Sequence, residues 1–146
     1  MMPGTAAMTR DEIAHLFDRR LGALKRHDVE ALACDYAEDA VIDSPVGSVR
    51  GRAGIETLHR GWFGSFPDLT FEQSDLIIGD DRAALVLTVG GTNTGGFMDL
   101  PPTGKRFSFT AVTLCTLRDG QIVYETRVYD FTRFLIEIGV LKAKPV

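Results

Sequence analysis

The chain is poor in the residues that build several common kinds of site. Its histidines are His15, His27 and His59 and its cysteines Cys34 and Cys115, with no CxxC and no cysteine at metal-ligand spacing from a histidine. A disulfide framework and a structural metal lose their basis, and both cysteines read as buried free thiols. There is no GxSxG elbow, no P-loop, no GxGxxG after a strand and no HExxH, which removes support for serine nucleophile chemistry and nucleotide binding. Basic residues are not clustered: net charge is -4 and the pI near 5.3. Arg19, Arg20, Lys25 and Arg26, at helical spacing, read as a solvated helix face, so no nucleic-acid partner is expected. No apolar run is long enough to span a bilayer, and MMPGTAAM at residues 1–8 lacks the charged start and apolar core of a signal peptide. The expectation is a cytoplasmic protein with a disordered tail at 1–8 and no membrane partner.

What is present suits one globular domain over residues 9–146, with 45% hydrophobic and 25% charged residues. Thr9 to Glu12 forms a capping box, and Ile13, Leu16, Phe17, Leu21 and Leu24 follow as one apolar stripe, so a helix starts there. Asp28 is the next N-cap candidate, opening a short second helix that makes a hairpin with the first. AVID at 40–43 reads as a brief strand, GSVRG as a turn, and a third helix begins near Arg52. That helix carries Ile55, Leu58, Trp62, Phe63 and Phe66. A helix laid across a curved sheet points its largest side chains inward, which makes Trp62 a candidate for ligand contact. From Thr70 the period changes: residues 70–78, 82–92, 105–117 and 121–129 read as strands joined by hairpin turns, and 131–141 as a closing helix. Helices followed by a meander of strands give an α+β fold whose bent sheet, covered on one face, encloses a cone-shaped cavity.

The stretch from Gly90 to Gly104, GGTNTGGFMDLPPTG, spends more turn chemistry than a routine hairpin needs. Gly95 and Gly96 are expected at positive φ, Pro101 and Pro102 stiffen the path, and Gly104 turns the chain into the next strand. Among acid-base candidates, scarce histidine leaves the carboxylates. Asp130 closes the last strand between Tyr129 and Phe131. Facing a cavity in such company, its pKa would be raised by desolvation, which suits a general base; it can equally cap the final helix, and both readings stay open. Asp43 and Asn93 are the next polar candidates for the cavity. Arg127 shares a strand face with Glu125 and Tyr129, where it either pairs with an anion or meets solvent or another subunit.

At these residues the sequence resembles the SnoaL-like polyketide cyclase (ester cyclase) family, of the nuclear transport factor two-like superfamily. The resemblance rests on FPDL (Phe66 to Leu69), the DRAAL strand start, GTNTGGF (Gly91 to Phe97), PPTGK (Pro101 to Lys105), RDGQI (Arg118 to Ile122) and an aspartate before a short helix ending at Gly139. It implies a cone-shaped α+β barrel, N-terminal helices packed on a strongly curved, mainly antiparallel sheet, with no cofactor. It also implies an acid-base aspartate at the end of the last strand, a role that maps onto Asp130. This chain departs from the family at Asn93, where GTHTG is common, at Arg127, where a tryptophan is frequent, and at Glu137-Ile138-Gly139 in place of QLG.

The function so implied is a cyclase or isomerase type of enzyme, a lyase or isomerase, performing an aldol-type cyclisation of a hydrophobic, polyketide-derived molecule. Asp130 would move the proton, Asn93 would donate to the oxyanion with Asp43 nearby, and Trp62, Phe97 and Met98 would wall the pocket. Epoxide hydrolysis or isomerisation, with Asp43 as second acid, and a noncatalytic small-molecule-binding or dimerisation module are the alternatives. Self-association through the outer sheet face, as a homodimer or larger assembly, is implied by the superfamily.

Overall fold

The structure, a computed structural model, describes residues 7–142. Most of the expected tail lies outside them; Met8, which is described, packs against the core. Helix α1 (Arg10–Arg26) starts at the capping box: the Glu12 amide donates to Thr9 Oγ1 at 3.1 Å and the Thr9 amide to Glu12 Oε1 at 2.9 Å. It ends at His27, in the left-handed region, with φ 56°. Asp28 caps α2 (Val29–Cys34), its carboxylate accepting from the Ala31 amide. Strands β1 (Tyr36–Ser44) and β2 (Gly47–Arg50) follow, then α3 (Gly51–Ser65), β3 (Thr70–Ile78), β4 (Arg82–Thr92), β5 (Arg106–Arg118), β6 (Gln121–Val128) and α4 (Phe131–Glu137).

The strands form one 6-stranded sheet in the order β2-β1-β6-β5-β4-β3. Pairing is antiparallel except between β1 and β6, which run parallel, with Ile42 opposite Glu125 and Asp43 opposite Thr126. Register shifts in β3 at Gln73/Asp75, in β1 at Tyr36/Val41 and in β5 at Thr116/Leu117 bend the sheet around its concave face. That face carries Leu85, Leu87 and Val89 of β4, each no more than 6% exposed, and receives α1 and α3. An aromatic cluster of Phe66, Phe97, Phe107 and Phe134, with centroids 4.8–5.8 Å apart, fills one end.

Several expectations need correction. Residues 47–50, read as turn, are strand β2, because they complete a hairpin with the longer β1. Cys34 is exposed; only Cys115 is buried. Arg20, placed on a solvated face, is 5% exposed, since its guanidinium has buried acceptors in Asp35, the Leu32 carbonyl and the Tyr36 hydroxyl. Gly96 and Gly104 do adopt positive φ, at 84° and 71°, but Gly95 does not. Gly95 is needed for closeness instead: a Cβ there would lie 2.0 Å from the Gly64 carbonyl oxygen.

Candidate active site

The concave face encloses a cavity of about 90 Å³, partly open to solvent, with walls from α1, α3 and strands β3 to β6. Most of its lining is apolar, including Phe17, Trp62, Phe63, Phe71, Leu87 and Phe109. Polar groups gather at one end, where Arg20, His59, Cys115, Glu125, Arg127 and Tyr129 meet.

Strand alternation puts Glu125, Arg127 and Tyr129 inward and Tyr124 and Val128 outward, the latter two 42% and 53% exposed. Glu125 is 1% exposed. Its carboxylate accepts from the Tyr36 hydroxyl at 2.6 Å and from Arg127 Nε, and the Cys115 thiol lies 3.6 Å away. Tyr36 in turn accepts from Arg20 at 2.9 Å, and Arg20 is paired with Asp35 at 3.2 Å. Burial by itself would raise the Glu125 carboxyl, but the charges of Arg127 and Arg20 and the Tyr36 hydroxyl outweigh it and hold the group at about 2. Glu125 is therefore ionised and spent on its partners. Burial, then the neighbouring Glu125 charge, pushes the Cys115 thiol well up, so it stays protonated.

His59 sits on α3, one turn before Trp62 and Phe63, and is 3% exposed. Its Nδ1 contacts the Ile55 carbonyl oxygen at 2.8 Å, an acceptor only, so Nδ1 carries the proton. Its Nε2 is then the acceptor for Arg127 Nη2 at 3.0 Å. Burial, then the charge of Arg127, pushes His59 down to about 3, so the ring is neutral. Glu125 at Nε and His59 at Nη2 fix the plane of the Arg127 guanidinium from two sides.

Tyr129 stacks on Phe109, with centroids 4.6 Å apart and planes at 11°, and meets Trp62 edge-on. Its hydroxyl is buried without a hydrogen-bond partner among the described residues. Burial pushes its pKa up to about 12, against the pull of Arg127.

Of the residues singled out from sequence, Trp62 and Arg127 line this cavity. Asp130 does not: it is exposed, and its carboxylate accepts from the Arg133 amide at 2.9 Å as the N-cap of α4. Asn93 is fully buried but serves the loop, donating to Thr103 Oγ1 and accepting from the Gly96 amide, while Thr103 donates to the Ile138 carbonyl. It is a latch between the glycine-rich loop and the end of α4. Asp43 accepts from the Ser48 and Tyr124 hydroxyls, off the cavity. Phe97 belongs to the aromatic cluster behind Trp62, and Met98 is 62% exposed. Sequence reading passed over His59, Glu125, Tyr129, Tyr36 and Arg20. For His59 a signal existed, its position four residues after Ile55 and three and four before Trp62 and Phe63, on one helix stripe.

Among the described residues no group of His, Cys, Asp and Glu is placed to hold a metal ion, and no helix is long and apolar enough to cross a membrane. A curved sheet covered by helices around an apolar cavity with polar groups at one end defines an α+β fold with a concave pocket face. Residues 15–137 match the SnoaL-like polyketide cyclase family, and the chain belongs to that family. No curated protein matches it. Among solved structures it is similar to AclR from Streptomyces galilaeus, described provisionally as a hydroxylase, at 30% identity over 94% of this chain and 91% of that one, with a TM-score of 0.81. It is similar to IdmH from Streptomyces antibioticus, provisionally a polyketide cyclase, at 29% identity over 87% and 98%, TM-score 0.73. TerC, crystallised with polyporic acid, shares the fold at 16% identity over 87% and 98%, TM-score 0.72.

Proposed function

We propose that this protein is a cofactor-independent, polyketide cyclase-like enzyme that binds a hydrophobic carbonyl compound in the concave cavity and promotes aldol-type cyclisation or a related proton transfer. The observation that carries this reading is the oriented Arg127 at the end of an aromatic cavity, held by Glu125 and His59. A positioned cation at the end of a largely apolar pocket stabilises negative charge as it develops on a carbonyl oxygen. His59 Nε2 presents an unprotonated nitrogen beside it. That nitrogen holds its lone pair toward Arg127 Nη2 and is lowered by burial and then by the Arg127 charge, so it takes a proton only as Nη2 turns its hydrogen to the developing enolate oxygen, which couples charge development to proton acceptance. The cavity volume suits the reacting end of a ligand, with the remainder projecting through the mouth. The crystallisation of TerC with polyporic acid is in keeping with a small-molecule occupant. Asp130 is assigned to the cap, and Asp43, held by Ser48 and Tyr124, gives the epoxide-opening alternative no second acid.

The test is exchange of the methyl protons of acetophenone with deuterium, followed by NMR. The parent is expected to accelerate exchange, Arg127→Met and His59→Phe to lose at least tenfold of that acceleration, and Asp130→Ala to retain it. Loss in Asp130→Ala with retention in the other two would return the role to Asp130; binding without exchange in any of them would favour a noncatalytic module.

The convex face supports self-association. Val86, Val112 and Val128 stand in one cross-strand row and Ala84, Leu114 and Thr126 in the next, and Ile77, Leu114 and Val128 are 59%, 47% and 53% exposed. A second copy presenting the same rows would cover them in a two-fold homodimer.

A further inference from the structure

The hydrogen-bonding groups around the cavity are not evenly spent. The strongest acceptors at its polar end are in use: the Glu125 carboxylate by Tyr36, Arg127 and Cys115, and His59 Nε2 by Arg127. A donor is left over. The Tyr129 hydroxyl is the buried side-chain polar group without a partner among the described residues, and its ring lines the cavity beside Arg127. It cannot readily swing toward another acceptor, because Phe109 stacks along one face and Trp62 and Phe134 meet it edge-on. Arg127 keeps 19% of its side chain accessible while two of its nitrogens are tied down. A buried phenol with nothing to donate to costs free energy, and a ligand oxygen placed between it and the guanidinium would recover that cost.

We propose that Tyr129 is a ligand-contacting specificity residue: together with Arg127 it selects compounds that present an acceptor oxygen, a conjugated ketone or its enolate, at the buried end of the cavity, over ligands of the same shape that present no polar atom, while the Arg127 charge turns away cationic ones. The phenol remains a donor across the working pH range, since burial raises its pKa. The inference rests on the cavity being the ligand site, as set out above.

The experiment compares acetophenone, ethylbenzene and benzylamine, which share a ring and nearly a shape, by NMR titration with the Trp62 indole N–H as cavity reporter. The parent is expected to bind acetophenone about tenfold more tightly than ethylbenzene and benzylamine not measurably. Tyr129→Phe is expected to close the gap between the first two to within about threefold, leaving ethylbenzene affinity unchanged and melting no lower than the parent. That combination separates a ligand contact from a structural role, because a tyrosine needed for packing or internal hydrogen bonding would lower the melting temperature when lost. Equal binding of acetophenone and ethylbenzene by the parent, or a full preference surviving in Tyr129→Phe, overturns the proposal while leaving the cavity as the site. If none of the three moves the Trp62 resonance, the cavity reading fails, and this proposal with it.

Discussion

Replacing Glu125 by glutamine tests whether an ionised carboxylate holds the polar end of the cavity together. The substitution keeps the shape and removes the charge, leaving Arg127 without its carboxylate partner and Arg20 with Asp35 alone. Losing one partner of a buried ion pair costs about 3–5 kcal/mol. The pH dependence measures the same interaction separately. Glu125 sits at about 2 in the folded protein against 4.5 for the ordinary carboxyl. Between those values the unfolded chain binds more protons at this residue than the folded one, so stability rises with pH. The contribution is complete above about pH 4.5 and is lost as pH falls through about 2. The shift corresponds to on the order of 3 kcal/mol, of which roughly 2 are gone by about pH 2.5. Urea denaturation of parent and Glu125→Gln, followed by fluorescence of Trp62, the single tryptophan, reads this directly. Near pH 7 the parent is expected to be more stable by roughly 3 kcal/mol or more, and the gap to narrow by roughly 2 kcal/mol toward pH 2.5. The narrowing follows because below about 4.5 the unfolded parent takes up a proton at residue 125 that the folded protein does not, whereas glutamine takes none in either state, and the other carboxylates titrate in both proteins and cancel. A gap constant over that range would refute an ionised Glu125 and the fixed Arg127 that depends on it.

Further outcomes follow from the same geometry. His59, pushed down to about 3 by burial and then by Arg127, is expected to show the Nδ1–H tautomer and no titration between about pH 5 and 8 in nitrogen-15 spectra; a midpoint near the ordinary ~6.5 would contradict its placement. Because the unfolded chain takes the proton first, acidification below about 6.5 costs stability at this residue, and His59→Phe should flatten that part of the profile. Gly95→Ala must displace the Gly64 carbonyl and should lose roughly 1–3 kcal/mol in thermal melting. Gly104→Ala, with φ 71° and open space around its Cβ, should lose about 1 kcal/mol; the reverse order would mean that the loop does not press on α3. Leu114→Lys, on the convex face, should convert a dimer to a monomer in sedimentation equilibrium with no change in acetophenone binding, and a monomeric parent would dispose of the dimer.

Much of the architecture was legible because it is locally encoded. The Thr9–Glu12 box and the Asp28 cap start their helices where the pattern places them, and the β3 and β4 limits follow the alternation residue for residue. What escaped depends on contacts between distant segments. The parallel pairing of β1 with β6 joins Ile42 to Glu125 across the length of the chain, and nothing in AVID announces it. β2 pairs with β1 alone, and its four residues, rich in turn formers, read as a turn. Arg20 escaped for the same reason: its acceptors Asp35 and Tyr36 lie beyond the end of its own helix, so the local stripe assigns it to water.

The candidate site turned on strand parity. Alternation along β6 groups Glu125, Arg127 and Tyr129, but period alone does not say which face is concave, and a face with two charged residues reads as solvent. Burial of that face is decided by Ile42 beside it, by His59 coming down from α3 and by Arg20 reaching across from α1. Once it is inward, Asp130 falls one step out of phase, past the end of the strand, where the free amides of α4 offer it a local partner. A carboxylate there gains a cap without desolvation, whereas the inward position leaves a phenol whose hydroxyl has no partner among the described residues. The unsatisfied group rather than the satisfied one marks where a ligand oxygen is accommodated, since a hydrogen bond already made is expensive to exchange and one not yet made is gained on binding.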